Sequence, residues 1–404
     1  MSNITIFNGI FCNEAAVIEQ LALATNYKIY TDQDLVTRAK GIAGLSEAKL
    51  FRAFSTQASI FNNFTHEKER AIAGLKLAMA ELISEDNLLL HGFCAQLIPR
   101  TVSHVLRICL IADVAYREAQ GLASRQSSSQ EVLKLIHRQD EECAAWVRTL
   151  YEQDDPWKAD LYDIVIPMNR TSIAAAVKLI TDNLAKEVLK TDAQSRKAVA
   201  DFLLAARTEV ALGKEGHSVE VTAESGVVTL TINKHVLLLS RLEEELKEIA
   251  GKVDGVTSVV TKVGKGYHQA DIYRKFDFEA PSRVLLVDDE REFVQTLSER
   301  LIMRDVSSAV AYDGESALCM IDEDEPDVMI LDLKMPGIDG IEVLKRVKST
   351  RPGLEVIILT GHGSEVDRET CMKLGAFAYL QKPVDIDLLS KTLKEANEKI
   401  RKCR

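Results

Sequence analysis

The chain has no C-x-x-C pair, and its seven cysteines are an odd number scattered along 404 residues, at Cys12, Cys94, Cys109, Cys143, Cys319, Cys371 and Cys403. That spacing argues against a zinc site or a disulfide framework and leaves buried or surface thiols in a reducing compartment. A membrane span is missing too. A charge-free stretch such as Asn87 to Pro99 falls short of the ~20 apolar residues that a crossing helix needs. The first basic residue is Lys28, so no basic region precedes an apolar stretch as in a secretory signal, and a cytoplasmic location is expected. Excess positive charge is also absent. With 61 acidic and 50 basic residues the net charge is −11, which disfavours nucleic acid and anionic lipid as partners because both are bound chiefly by Lys and Arg. The basic tail IRKCR is too short to reverse this and reads as a solvated helix end.

What is present is ordinary soluble composition, 46% hydrophobic and 27% charged, in a chain long enough for roughly two to four domains with cores of their own. From residue 1 to about 190, short apolar runs (ITIF, NLLLHGF, VLRICLIA, YDIVIP) alternate with helical patterns, which predicts a three-layer α/β domain with a parallel sheet. Residues 191–266 read as a small α+β module. Its pieces are a helical segment QSRKAVADFLLAARTEVAL, a hairpin VEVTAESGVVTLTI turning at Ser225-Gly226, a helix with Leu238, Leu242, Leu246 and Ile249 on one face, and a strand VTSVVTKVG. Residues 267–281 read as a linker. Residues 282–404 then repeat strand and helix five times, and their strands are apolar at consecutive positions, as suits a doubly wound, flavodoxin-like parallel sheet of five strands buried on both faces.

In such a sheet the ligand crevice lies beyond the carboxyl ends of the strands. The polar residues fall there: Asp288 and Asp289 end the first strand, Asp332 the third, Thr360 the fourth and Lys382 the fifth. Three converging carboxylates need a cation, and hard oxygen ligands suit Mg²⁺. A carboxylate held beside Mg²⁺ can accept a phosphoryl group, with a Lys offsetting charge and a Thr hydroxyl donating to a phosphoryl oxygen. Asp313, in YDG, reads as a turn residue or helix cap.

This constellation resembles the receiver domain of two-component response regulators, over Ser282 to Arg404. The resemblance implies that Asp332, in LDLKMPGIDG, is the phosphoacceptor, with a sensor histidine kinase or a phosphotransfer protein as donor. It implies that Asp288, Asp289 and Asp332 hold Mg²⁺ with the backbone carbonyl of Lys334, and that Thr360 and Lys382 stabilise the phosphoryl group. Thr360 and Tyr379 match the pair whose rearrangement reports phosphorylation, and the Lys382-Pro383 bond is expected to be cis. Lys334 and His362 either bias dephosphorylation or are exposed loop residues.

The stretches HVLRICLIADVAYREAQ and LYDIVIPMNRTSI, with the Tyr116-Arg117 pair and with Asp140 ahead of Trp146, resemble the cytidylate kinase-like family of P-loop phosphotransferases over about residues 3–185. The chain departs from that family where the chemistry lies. In place of a glycine-rich loop stand Phe11, Cys12, Asn13 and Glu14, no Lys follows, Leu90-His91-Gly92 replaces a Gly-Arg-Gly-like turn, and Cys143 replaces an Arg. Side chains in that loop keep phosphate from the backbone, and Glu14 brings negative charge to a helix N-terminus. Arg107, Arg117, Arg125, Arg138 and Arg170 remain to hold a nucleotide or another anion, or are solvated.

The GVVTL strand and the GKVDGVTSV step make residues 191–266 resemble a BON domain, read here as a spacer or a dimerisation element. The expected protein is therefore a cytoplasmic response regulator whose front domains keep a kinase fold without kinase activity. It signals through those domains or an unknown output protein, as a monomer or a homodimer, and not through DNA, since no helix-turn-helix is apparent. A receiver-regulated nucleotide kinase of the cytidylate type and a phosphorelay shuttle are the alternatives.

Overall fold

A computed structural model describes residues 2–55, 66–124, 128–236, 238–268, 283–302, 306, 308–361 and 363–403. They form two compact units, the first taking in the described residues up to Ser55 and from Glu67 to His268, the second His66 and those from Arg283 on. The stretch read as a linker falls almost wholly outside the described residues.

The first unit is built on a parallel sheet of five strands in the order β2-β3-β1-β4-β5, with β1 at Asn3–Asn8, β2 at Lys28–Thr31, β3 at Leu88–His91, β4 at Val105–Ile111 and β5 at Ile164–Pro167. The pleat of β1 sends Ile4 and Ile6 to one core, with Leu21, Leu106 and Ile108, and Phe7 to the other, with Leu90, Met79 and Trp146. Helices cover both faces, as a parallel sheet requires. Two of them start with capping boxes, Thr31 with Asp34 ahead of Asp32–Ala43 and Ser128 with Glu131 ahead of Ser129–Tyr151.

Helix Ala193–Lys214, whose N-cap Asp192 accepts from the Ser195 amide at 2.6 Å, serves three apolar clusters. Val199 joins the core around Trp146, and Ala206 packs with Leu77 and Ala80 of helix Glu67–Leu82. Leu204 and Leu212 instead join Val228, Leu230 and Ile232 of a second sheet. That sheet runs β6-β7-β8, with β6 (Glu220–Glu224) antiparallel to β7 (Val227–Ile232) and β8 (Ser258–Val263) parallel to it. Ser225 and Gly226 make the hairpin turn with φ of 52° and 85°. Helix Leu239–Gly251 buries Leu242, Leu246 and Ala250; Leu238, expected on that face, is its exposed N-cap residue because the chain is still turning into the helix there.

The second unit holds five parallel strands in the order β10-β9-β11-β12-β13. They are β9 (Val284–Val287), β10 (Ser308–Ala311), β11 (Val328–Leu331), β12 (Glu355–Thr360) and β13 (Ala378–Gln381). Every residue of β9, β11 and β12 is buried, which is why these stretches are apolar without alternation apart from Glu355 and Thr360 at the two ends of β12. The chain reverses direction across the sheet between β10 and β11, so the loops after β9 and β11 part and open a crevice. Asp313 caps helix Gly314–Glu323 by accepting from the Ser316 amide at 2.7 Å. None of the described helices is long and apolar enough to cross a membrane.

Candidate functional site

The crevice of the second unit collects the predicted polar residues. Asp288 and Asp289 follow β9, Asp332 follows β11, and each of the three offers a carboxylate oxygen within 4.8 Å of the others. Asp332 is fixed by its own amide, which donates to the Val287 carbonyl at 2.9 Å, and by the Leu333 amide, which donates to its Oδ1 at 2.7 Å. Asp288 accepts from the Glu290 amide at 3.0 Å. Asp288 and Asp332 are buried and Asp289 is exposed, so the cluster has one wet edge.

Lys382 supplies the ammonium. Its Nζ lies 2.6 Å from Asp288, 2.9 Å from Glu290 and 3.5 Å from Asp332, which accounts for all three of its donors. It also stands 4.3 Å from the centre of the Phe293 ring. Burial pulls the Lys382 pKa down, but the bonds to Asp288 and Glu290 outweigh this and leave it raised. Burial raises the Asp288 pKa against the opposing bond to Lys382. Four carboxylates thus face one ammonium, and the surplus negative charge suits a hard cation.

Thr360, fully buried, ends β12, and its carbonyl accepts from the Lys382 amide at 3.0 Å. Tyr379 lies on β13 with its hydroxyl buried. The Lys382-Pro383 bond is cis. Lys334 is exposed two residues beyond Asp332, and His362 lies outside the described residues. Sequence reasoning missed Glu290 and Phe293. The only signal for either was its place in DDEREF, directly after the aspartate pair.

The corresponding loop of the first unit is built differently. After β1, the Gly9 amide donates to the Leu110 carbonyl at 3.1 Å, the Ile10 amide to Gln139 Oε1 at 3.1 Å, and the Cys12 amide to Glu14 Oε2 at 3.0 Å. Asn13 donates to the Tyr116 hydroxyl at 2.7 Å, and Phe11 takes a left-handed φ of 64°. Arg117, nearly fully buried, donates Nε to the Ile10 carbonyl and both terminal nitrogens to Asp140, each at 2.8 Å. Burial, opposed by Arg117, pushes the Cys12 thiol up to about 12, and burial likewise raises Cys143. Both thiols are therefore neutral and inert.

The turn at Leu90-His91-Gly92 is closed in the same manner. The Phe93 and Cys94 amides donate to the Asp32 carboxylate at 3.0 and 2.7 Å, and Gly92, at φ 110°, leaves the space that this carboxylate fills. The arginines expected to be solvated or to await an anion divide. Arg107 is buried and donates to the carbonyls of Pro99, Val102 and Val105 at 2.8, 3.2 and 3.1 Å, and Arg117 is held by Asp140. Neither is solvated, a correction with a plain cause: each guanidinium is surrounded by the chain's own acceptors. Arg138 and Arg170 are exposed, and Arg125 lies outside the described residues.

The strand order of the second unit and the acidic cluster at its carboxyl edge define a receiver-type α/β domain. Residues 284–394 match the response regulator receiver domain family, and residues 3–170 match the cytidylate kinase-like family. Among curated proteins, the transcriptional regulatory protein CpxR of Klebsiella pneumoniae is 45% identical over 102 residues, covering 25% of this chain and 43% of that protein. Response regulator MprA of Mycobacterium avium is 38% identical over 107 residues, 26% of this chain and 47% of that protein. Transcriptional regulatory protein GlrR of Escherichia coli is 36% identical over 118 residues, 29% and 27% of the two chains. The chain therefore spans less than half the length of these relatives. A solved receiver domain from Clostridium thermocellum is 33% identical and covers 30% of this chain and 98% of its own, with a TM-score of 0.30. The C-terminal region is homologous to the receiver domains of two-component response regulators.

Proposed function

We propose that Asp332 receives a phosphoryl group from a histidine kinase or a phosphotransfer protein, and that the change this makes around Thr360 and Tyr379 is the chain's signal. The observation that carries this reading is the convergence of the three carboxylates within 4.8 Å with Lys382 as the ammonium between them. A carboxylate oxygen of Asp332 attacks phosphorus, the bond from phosphorus to the donor's imidazole nitrogen breaks, and an acyl phosphate remains on Asp332. Asp288, Asp289 and Asp332, with the backbone carbonyl of Lys334, are the residues that would hold Mg²⁺, and their all-oxygen donor set fits it. When bound, Mg²⁺ supplies positive charge to the transferred oxygens. Lys382 then exchanges its bond to Asp332 for one to a phosphoryl oxygen, and the Thr360 hydroxyl donates to another. Incubation of the wild-type chain and Asp332→Ala with Mg²⁺ and acetyl phosphate, followed by intact mass, tests this. One added phosphoryl group on the wild type and none on the variant is expected, and a wild type that takes up none would remove the reading.

The output is proposed to run through the first unit, as a surface for a partner or a second copy of the chain. The relatives named transcriptional regulators are matched over less than half their length, so their DNA-directed role is not carried over. Kinase activity in the first unit is disfavoured because the amides and the guanidinium that would meet phosphate are bonded to Gln139, Glu14 and Asp140. Calorimetric titration with Mg-ATP and Mg-CTP is expected to show no micromolar binding, and phosphate transfer to CMP would establish the receiver-regulated kinase instead. Native mass of the phosphorylated and unphosphorylated chain separates dimerisation from partner binding as the output.

A further inference from the structure

The Tyr379 hydroxyl is buried and has no hydrogen-bond partner among the described residues, and burial raises its pKa. A polar group cut off from water without a partner is unfavourable, so the ring is held inward by shape and not by a bond. The shape comes from residue 363. A Cβ built on Gly363 would overlap the Tyr379 oxygen, and would stand 2.9 Å from Tyr379 Cζ and 3.0 Å from Thr360 Cγ2. The backbone at Gly363 is not left-handed, so an alanine there keeps the local conformation and changes only the occupied volume.

We propose that Gly363 is a positioning residue for Tyr379: the side chain it lacks is the seat into which the ring turns beside Thr360, and this seat sets the balance between ring-in and ring-out. The consequence for signalling rests on the receiver reading above; the seat itself does not.

The test places 3-fluorotyrosine at position 379 of the full chain and reads, by ¹⁹F NMR without any phosphodonor, the shift difference between H₂O and D₂O. A small difference is expected in the wild-type sequence, rising towards that of free fluorotyrosine in Gly363→Ala. Gly361→Ala is the matched substitution, since a Cβ there meets nothing closer than Lys382 at 3.8 Å, and it is expected to leave the difference small. An unchanged difference in Gly363→Ala, or an equal rise in both variants, overturns the proposal. The second reading is the lifetime of the phosphoryl group on Asp332. Gly363→Ala is expected to change it several-fold in the wild-type background and not at all when Tyr379 is alanine, and an equal change in both backgrounds overturns action through the ring. If the wild type takes up no phosphate, the receiver reading fails while the fluorine measurement still decides the seat.

Discussion

Two parallel sheets of the same strand number carry loops at their carboxyl edges with opposite electrostatic characters. At the acidic crevice, Asp288, Asp289, Glu290 and Asp332 outnumber Lys382, and two of the carboxylates, Asp289 and Glu290, face solvent. At the loop after β1, Glu14 meets the Cys12 amide, Gln139 meets the Ile10 amide and Asp140 meets Arg117, so donors and acceptors are matched within the chain. Architecture alone therefore does not make a site. A loop is open to a ligand to the degree that its polar groups are left in surplus, and among the described residues that surplus lies at the acidic crevice.

The largest effect that would sharpen this contrast is a complete one: phosphoryl uptake, measured by intact mass, is expected to vanish in Asp332→Ala and to persist unchanged in Gln139→Ala. Loss in Gln139→Ala would break the comparison, because the closed loop would then have a part in the chemistry.

Next in size is stability. Arg117→Ala leaves Asp140 and the Ile10 carbonyl without the guanidinium that satisfies both, and it is expected to cost the first unit about 3 kcal/mol, read from the urea midpoint by Trp fluorescence. Retained stability together with nucleotide binding would show that Arg117 had been holding the loop shut against a ligand.

The smallest effect concerns pH. Burial raises the Asp32 pKa despite its two amide bonds, so Asp32 favours the folded state while protonated. Its contribution is complete below the ordinary carboxylate value near ~4 and is lost as pH rises through the raised folded value. Asp32→Asn keeps an acceptor for Phe93 and Cys94 but cannot ionise. It is expected to flatten the dependence of the first unit's urea midpoint on pH above about 4. An unaltered pH dependence would mean that Asp32 is charged at no cost, and the contrast with the acidic crevice would weaken.

The acidic crevice was legible in the sequence because each of its polar residues stands directly after an apolar run, where the fold must bring strand ends together. Glu290 and Phe293 were not, since at a helix start they look like any solvent-facing pair. The position of the ring at Tyr379 was likewise unreadable, because it depends on what Gly363 does not have. In the first unit the sheet was visible as alternating apolar runs, and the odd residues at Phe11 to Glu14 were visible as well. What closes the loop comes from far along the chain. Gln139 is 129 positions from the amide it accepts from, and Asp32 is 61 from Phe93. Leu238 was misjudged by one helical step at an element boundary, where periodicity gives no warning.

Helix Ala193–Lys214 has a consequence for the order in which the chain can become structured. The core around Trp146 includes Val199, with Ala198 and Phe202 packed against it, while the sheet beneath that core is complete by Pro167. During synthesis, an emerging chain that has finished its first sheet still lacks one wall until more than one further helix has left the ribosome, and the same wall is the floor of the next sheet. The nascent protein must wait with Leu77 and Ala80 of helix Glu67–Leu82 uncovered until Ala206 reaches them, so a chain stalled before this helix has emerged exposes an apolar surface that a chain stalled after its emergence does not.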